Sequence, residues 1–143
     1  MKMVSEHFDL REFIPKEIYD VFGEKSIWFV NPNIVVVCEW LRVTINKPIT
    51  INNWHTGGQY NLSGYRPPDC ATGGKLSQHK RGDAADIKVA GMSPKEVLRF
   101  IQAHWKELRD MGLSTVENVD ATPTWNHLDC RWTDLDTLLI VNP

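Results

Sequence analysis

Apolar residues at 34, 35, 38, 41 and 45 recur every three or four positions after Asn31-Pro32, and Lys47-Pro48 closes the run. This spacing predicts a helix. A second helical pattern runs through Val97, Phe100, Ile101, His104, Trp105 and Leu108. It opens on Ser93-Pro94-Lys95-Glu96, where Ser93 can cap, Pro94 suits the first turn and Glu96 can reach back. Gly112 ends it. Pro15 opens a shorter helix through Tyr19 and Val21, stopped by Gly23. Period-two alternation marks Ile49-Thr50-Ile51-Asn52 as a strand, and residues 84–89 read as another. Residues 114–119 and 125–131 alternate on either side of Asp-Ala-Thr-Pro-Thr, a hairpin signature. Between the first two strands lies a glycine-rich stretch, residues 55–76, with Pro67-Pro68 inside it. A shaped loop of that length commonly carries function. The pattern predicts an α+β fold in which a small antiparallel sheet packs against helices. No linker or repeat divides it, so a single domain over residues 1–143 is expected.

Composition narrows the partners. A net charge of −2 gives no electrostatic reason to bind nucleic acid or an anionic membrane. No basic stripe with interleaved aromatics appears. The longest apolar run, Ile34 to Cys38, is far short of a membrane span. The opening MKMVSEHFDLREF lacks the apolar core and cleavage site of a secretory signal, so synthesis in the cytoplasm is expected. Cys38, Cys70 and Cys130 are odd in number and far apart, which argues for free thiols over a disulfide framework or a cysteine zinc knuckle.

The densest chemistry lies in Ser77-Gln78-His79-Lys80-Arg81-Gly82-Asp83-Ala84-Ala85-Asp86. His79 and Asp86 stand on either side of a glycine turn, and two alanines keep bulk away. Nitrogen and oxygen donors of this kind suit a catalytic zinc, which takes three protein ligands and leaves a position open. His127 in the last predicted strand offers the third. A histidine near a glycine turn is also an ordinary surface or core residue, which is how His7, His55 and His104 are read.

The segment fits the SxHxxGxAxD pattern and so resembles the D-alanyl-D-alanine carboxypeptidase family, whose zinc fold is shared with hedgehog signalling domains. Ser63-Gly64-Tyr65-Arg66-Pro67 is similar to that family's SGYR segment and Trp125-Asn126-His127 to its WxH segment. His7 to Phe13 resembles the start of the phage-borne, endolysin-like branch. The resemblance implies one Zn2+ per chain on His79, Asp86 and His127. It also implies hydrolysis of amide bonds in bacterial peptidoglycan peptide, by a carboxypeptidase or an endopeptidase. Such a protein would reach the wall after lysis-type release or as part of a virion. Where relatives carry ExxH or HxH around the last ligand, Thr124 and Trp125 stand here, and neither can act as a base.

Glu117 can. A turn centred at Thr122 sets residue 117 opposite residue 127, and cross-strand neighbours lie ~4.5–5.5 Å apart at Cβ. Asp129 faces the same side and competes as base, or orients a ligating histidine. The resemblance places Arg66 near substrate, where a guanidinium can stabilise an oxyanion or grip a carboxylate. Ser77 and Gln78 could donate hydrogen bonds to substrate or to the ligands. The alternative to an enzyme is a non-catalytic phage structural or wall-binding module that retains the zinc fold.

Overall fold

The computed structural model describes residues 2–143. Helix α1 spans Lys16–Phe22, with Pro15 as its extended N-cap and Gly23 at its C-cap, φ 57°. The chain then runs through a 3-10 stretch, Gly23–Phe29, into α2, Pro32–Ile45. Asn31 caps α2 by accepting from the Asn33 amide, and the left-handed Asn46 ends it. Among the described residues no helix is long and apolar enough to cross a membrane.

The expected helix from Ser93 breaks in two: α3 covers Pro94–Ala103 and α4 covers Trp105–Asp110. The cap at Ser93 is the reciprocal Ser–Glu box that the sequence predicts. His104 makes the break. Its Nδ1–H donates to the Phe100 carbonyl at 2.9 Å, and its ring lies 4.2 Å from that of Phe100 and 5.5 Å from that of Trp40. A side chain that bonds back to the preceding turn and packs on two rings leaves its own backbone outside the helical region, at φ −116° and ψ 24°.

Five strands form one sheet: β1 Ile49–Thr50, β2 Ala84–Val89, β3 Thr115–Glu117, β4 Asn126–Asp129 and β5 Leu139–Val141. Their order is β1-β2-β4-β3-β5. The β1–β2, β2–β4 and β3–β4 pairings are antiparallel, as the alternation predicts. The sheet is nevertheless mixed, because β5 adds parallel to β3. Leu138-Leu139-Ile140-Val141 is a continuous apolar run without alternation, so period two does not mark it as a strand.

Period two assigns the two faces of the sheet. Ala85, Ile87, Val89, Val116 and Leu128 join Ile34, Val37, Cys38 and Leu41 of α2 in the main core, with Val97, Ile101 and Leu108 of α3 and α4. Ala84, Asp86, Lys88, His127 and Asp129 therefore face the other way. All four residues of β4 are buried, since this strand has a neighbour on each side. The cysteines are free, with Cys38 buried and the other two partly so.

The N-terminal segment supports the loop above this second face. Phe8 and Phe13 are buried, with ring centroids 5.7 Å apart. The Phe13 carbonyl accepts from the Tyr65 amide at 2.8 Å. The Ile14 carbonyl accepts from the Trp54 indole at 2.9 Å.

Candidate metal centre and cleft

Register builds the site. Asp86 on β2 pairs with His127 on β4. The β3–β4 register, which pairs Val116 with Leu128, continues to set Glu117 opposite His127 on the other side. One row across three strands thus carries Asp86, His127 and Glu117, all on the face away from the core. His79 arrives from outside the sheet, on a 3-10 turn at Gln78–Arg81. Ser77 caps this turn, its Oγ accepting from the His79 amide at 3.3 Å. Gly82 closes it at φ 76°, and a Cβ there would stand 1.9 Å from the Phe29 carbonyl oxygen.

Three donor atoms converge. His79 Nε2 lies 3.2 Å from Asp86 Oδ1 and 3.1 Å from His127 Nδ1, and His127 Nδ1 lies 3.1 Å from Asp86 Oδ1. Four ligands at tetrahedral bond lengths of ~2.0–2.1 Å stand ~3.3 Å apart, so the triangle is close to one face of such a tetrahedron. The far nitrogens fix the tautomers. His79 Nδ1–H donates to the Gly64 carbonyl at 2.8 Å, and His127 Nε2–H donates to Asp129 Oδ2 at 2.8 Å. With the outer nitrogens protonated, the inner nitrogens, His79 Nε2 and His127 Nδ1, are the ones that can turn a lone pair toward the carboxylate oxygen.

Three acceptors at this spacing call for a positive charge among them. In the protein alone a proton can supply it. Burial disfavours charge on His127, but Asp129 and Asp86 outweigh it and push the pKa up to about 9. Burial likewise opposes the charge of Asp86, yet hydrogen bonds from His127 and His79 hold its carboxyl well below the usual carboxylate range. His79, Asp86 and His127 accordingly form a group that could hold a metal ion. Glu6, His7 and Glu39 form another, exposed and partly exposed, in which His7 Nδ1 stands 2.6 Å from Glu39. His55 and His104 are not in either group.

The remaining candidates take distinct positions. Glu117 Oε1 is 3.8 Å from His127 Nδ1, on the wall of a cleft of about 570 Å3. Asp129 is wholly buried behind the His127 ring, where it also accepts from Arg131 Nε at 2.8 Å and Nη2 at 2.6 Å. It thus stands on the side of the imidazole away from the converging lone pairs. Arg66 donates from Nε to the Leu62 carbonyl at 2.8 Å and from Nη2 to Asp86 Oδ2 at 3.2 Å. Ser77 and Gln78 line the same cleft. The Ser77 hydroxyl is engaged with the turn that carries His79.

Sequence reasoning took only the arginine from Ser63-Gly64-Tyr65-Arg66 and missed the backbone. The Ser63 carbonyl accepts from the Asp86 amide at 2.7 Å, and the His79 carbonyl accepts from the Arg66 amide at 3.0 Å. The Gly64 carbonyl orients the His79 ring. A Cβ at Gly64 would meet the Phe13 carbonyl oxygen at 2.3 Å, so only glycine brings that carbonyl so close. Lys88 also escaped notice. It follows Asp86 by two positions on β2 and lines the same side of the sheet.

A family model described as Peptidase M15 matches residues 12–120, well over half of the chain. The match takes in Arg66, His79, Asp86 and Glu117 and ends before His127. The curated proteins and the solved structures contain no significant match.

Proposed function

This chain belongs to the peptidase M15 family, and from that premise we propose that it hydrolyses amide bonds in the peptide of bacterial peptidoglycan, with one zinc ion held by His79, Asp86 and His127. The observation that carries this reading is the convergence of two fixed lone pairs and a carboxylate oxygen within 3.1–3.2 Å of one another. Two neutral imidazoles and one carboxylate are a zinc donor set. When bound, zinc would supply Lewis acidity toward the substrate carbonyl and toward water.

The chain's own groups do the rest. Glu117 stands beside the triad on the cleft wall, placed to take a proton from the attacking water and return it to the leaving amine. Asp129 holds the His127 tautomer, and Gly64 holds that of His79. Arg66, anchored by Leu62 and Asp86, keeps positive charge next to the cleft, where charge develops on the carbonyl oxygen. Ser77 and Gln78 border the path of the substrate. The alternative is a non-catalytic phage structural or wall-binding module that retains the zinc fold; a carboxylate 3.8 Å from His127 Nδ1 on the cleft wall favours the peptidase. Action on the wall after lysis-type release, or from within a virion, suits a chain with this activity.

The test is Glu117→Gln. The variant should retain one zinc per chain by elemental analysis and lose hydrolysis of purified peptidoglycan by about 10²–10⁴-fold, the scale of general-base loss. Wild-type rates in a folded, metal-loaded variant would remove Glu117 from the mechanism. Wild-type protein that releases no peptide fragment detectable by mass spectrometry would overturn the peptidase reading.

A further inference from the structure

Beside the triad, on the β2 side, the cleft continues into a second lobe of about 440 Å3, bordered by Tyr60, Ser63, Arg66, Asp86, Lys88 and Trp125. Glu117 stands on the opposite, β3, side of His127. The Lys88 ammonium reaches into this region half-buried. It donates to Ser63 Oγ at 3.0 Å and to the Ile51 carbonyl at 3.3 Å, and it lies 3.8 Å from the centre of the Tyr60 ring. Each of these partners is neutral. Among the described residues no carboxylate pairs with Lys88 within 4.0 Å. The nearby Asp86 is already engaged by Arg66, His79 and His127.

A sheet position facing a cleft has no packing need for lysine, and a half-buried ammonium without an anion is costly. Neutral acceptors and an aromatic face hold such a cation in place and leave it without a carboxylate in ion-pair contact. We propose that this lobe is a subsite for a carboxylate of the peptide substrate. Lys88 is its charge partner, and Tyr60 and Trp125 are its walls. The identity of the ligand rests on the peptidase reading above. A stem peptide offers two sources of the same chemistry: the free carboxylate at its C-terminus, and a carboxylate borne along the chain.

The probe is the synthetic pentapeptide L-Ala-γ-D-Glu-L-Lys-D-Ala-D-Ala in three forms. One has both carboxylates free, one is amidated at the C-terminus, and one is amidated at the glutamate α-carboxylate. Calorimetric binding to zinc-loaded Glu117→Gln protein gives Kd without turnover, and wild-type hydrolysis gives KM and kcat separately. Amidation of one of the two carboxylates should weaken binding about tenfold or more, the order of a charge-assisted hydrogen bond. Which amide does so identifies the source. Adding Lys88→Met should weaken the free peptide equally and abolish the discrimination, while Lys88→Arg restores part of it. The loss should fall on KM. Equal binding of all three peptides to the protein with Lys88 intact overturns the proposal, and this arm holds even if the methionine variant misfolds. Undiminished discrimination in Lys88→Met overturns it as well. Absence of hydrolysis by wild type would instead strike the peptidase reading, and the calorimetric arm would still decide the lobe.

Discussion

Replacing Asp129 by Asn keeps the shape of a buried side chain and removes the charge that sets the His127 tautomer. The carboxylate accepts from His127 Nε2 at 2.8 Å, from Arg131 Nε at 2.8 Å, from Arg131 Nη2 at 2.6 Å and from the Arg131 amide at 3.2 Å. An asparagine oxygen can still serve Arg131 Nε and the backbone. Its NH2 group then faces Arg131 Nη2 and His127 Nε2–H, donor against donor. The imidazole escapes by moving its proton to Nδ1, the atom 3.1 Å from Asp86 Oδ1. That tautomer cannot ligate. Recovering the ligating form returns the clash, so zinc affinity should fall by about 10–100-fold, or ~1.4–2.8 kcal/mol. The metal-free protein should also lose roughly 1–3 kcal/mol through a buried donor without a partner. Competition against a chromophoric chelator measures the first quantity, and urea unfolding in excess chelator measures the second. A folded Asp129→Asn protein that binds zinc as tightly as wild type would show that the far-side charge is not needed to set the ligating nitrogen.

Two further outcomes concern the frame around the site. Gly82→Ala should cost more than ~2 kcal/mol, since it adds left-handed backbone strain to a Cβ placed 1.9 Å from the Phe29 carbonyl oxygen; chemical denaturation within 0.5 kcal/mol of wild type, on the ~±0.5 scale of neutral substitutions, would refute it. Glu12 bears on pH. Burial pushes its carboxyl from 4.5 up to about 7, although the Asp9 amide donates to it at 2.9 Å. Because the folded value is the higher one, its contribution is fully present below about 4.5 and is lost as pH rises through about 7. Glutamine keeps the bond to Asp9 without the charge, so Glu12→Gln should raise the melting temperature over wild type at pH 8 and lose that advantage near pH 5. An advantage of equal size at both values would refute the assignment.

Much of the site was legible because its spacing is local or set by register. His79 and Asp86 sit in one ten-residue segment. The hairpin arithmetic that put Glu117 across from His127 needed only a turn centre and the two-residue period of a strand. The strand at 84–89 and the Ser93 cap came from equally local signals. What stayed hidden was non-local. A side chain that bonds backward and packs on Trp40, as His104 does, overrides an unbroken apolar period. The parallel β5 depends on a partner more than twenty residues away in the chain. The support given by the Ser63 and Gly64 carbonyls has no side-chain signature, because backbone groups do not appear in a residue pattern. Lys88 looked like any polar residue on a strand until the fold closed Tyr60 over it.

The central place of β4 also governs when the site can exist. His79 and Asp86 are seven positions apart in the chain, but His127 is separated from Asp86 by 41 and from His79 by 48. The third donor arrives only when the strand that carries it slides between β2 and β3, so the site waits on a long-range closure whose entropy must be met first. Until then the chain can offer an ion a two-point grip at best. Metal held there would seal a finished sheet rather than template one, and its occupancy would mark a chain that has completed its most distant pairing.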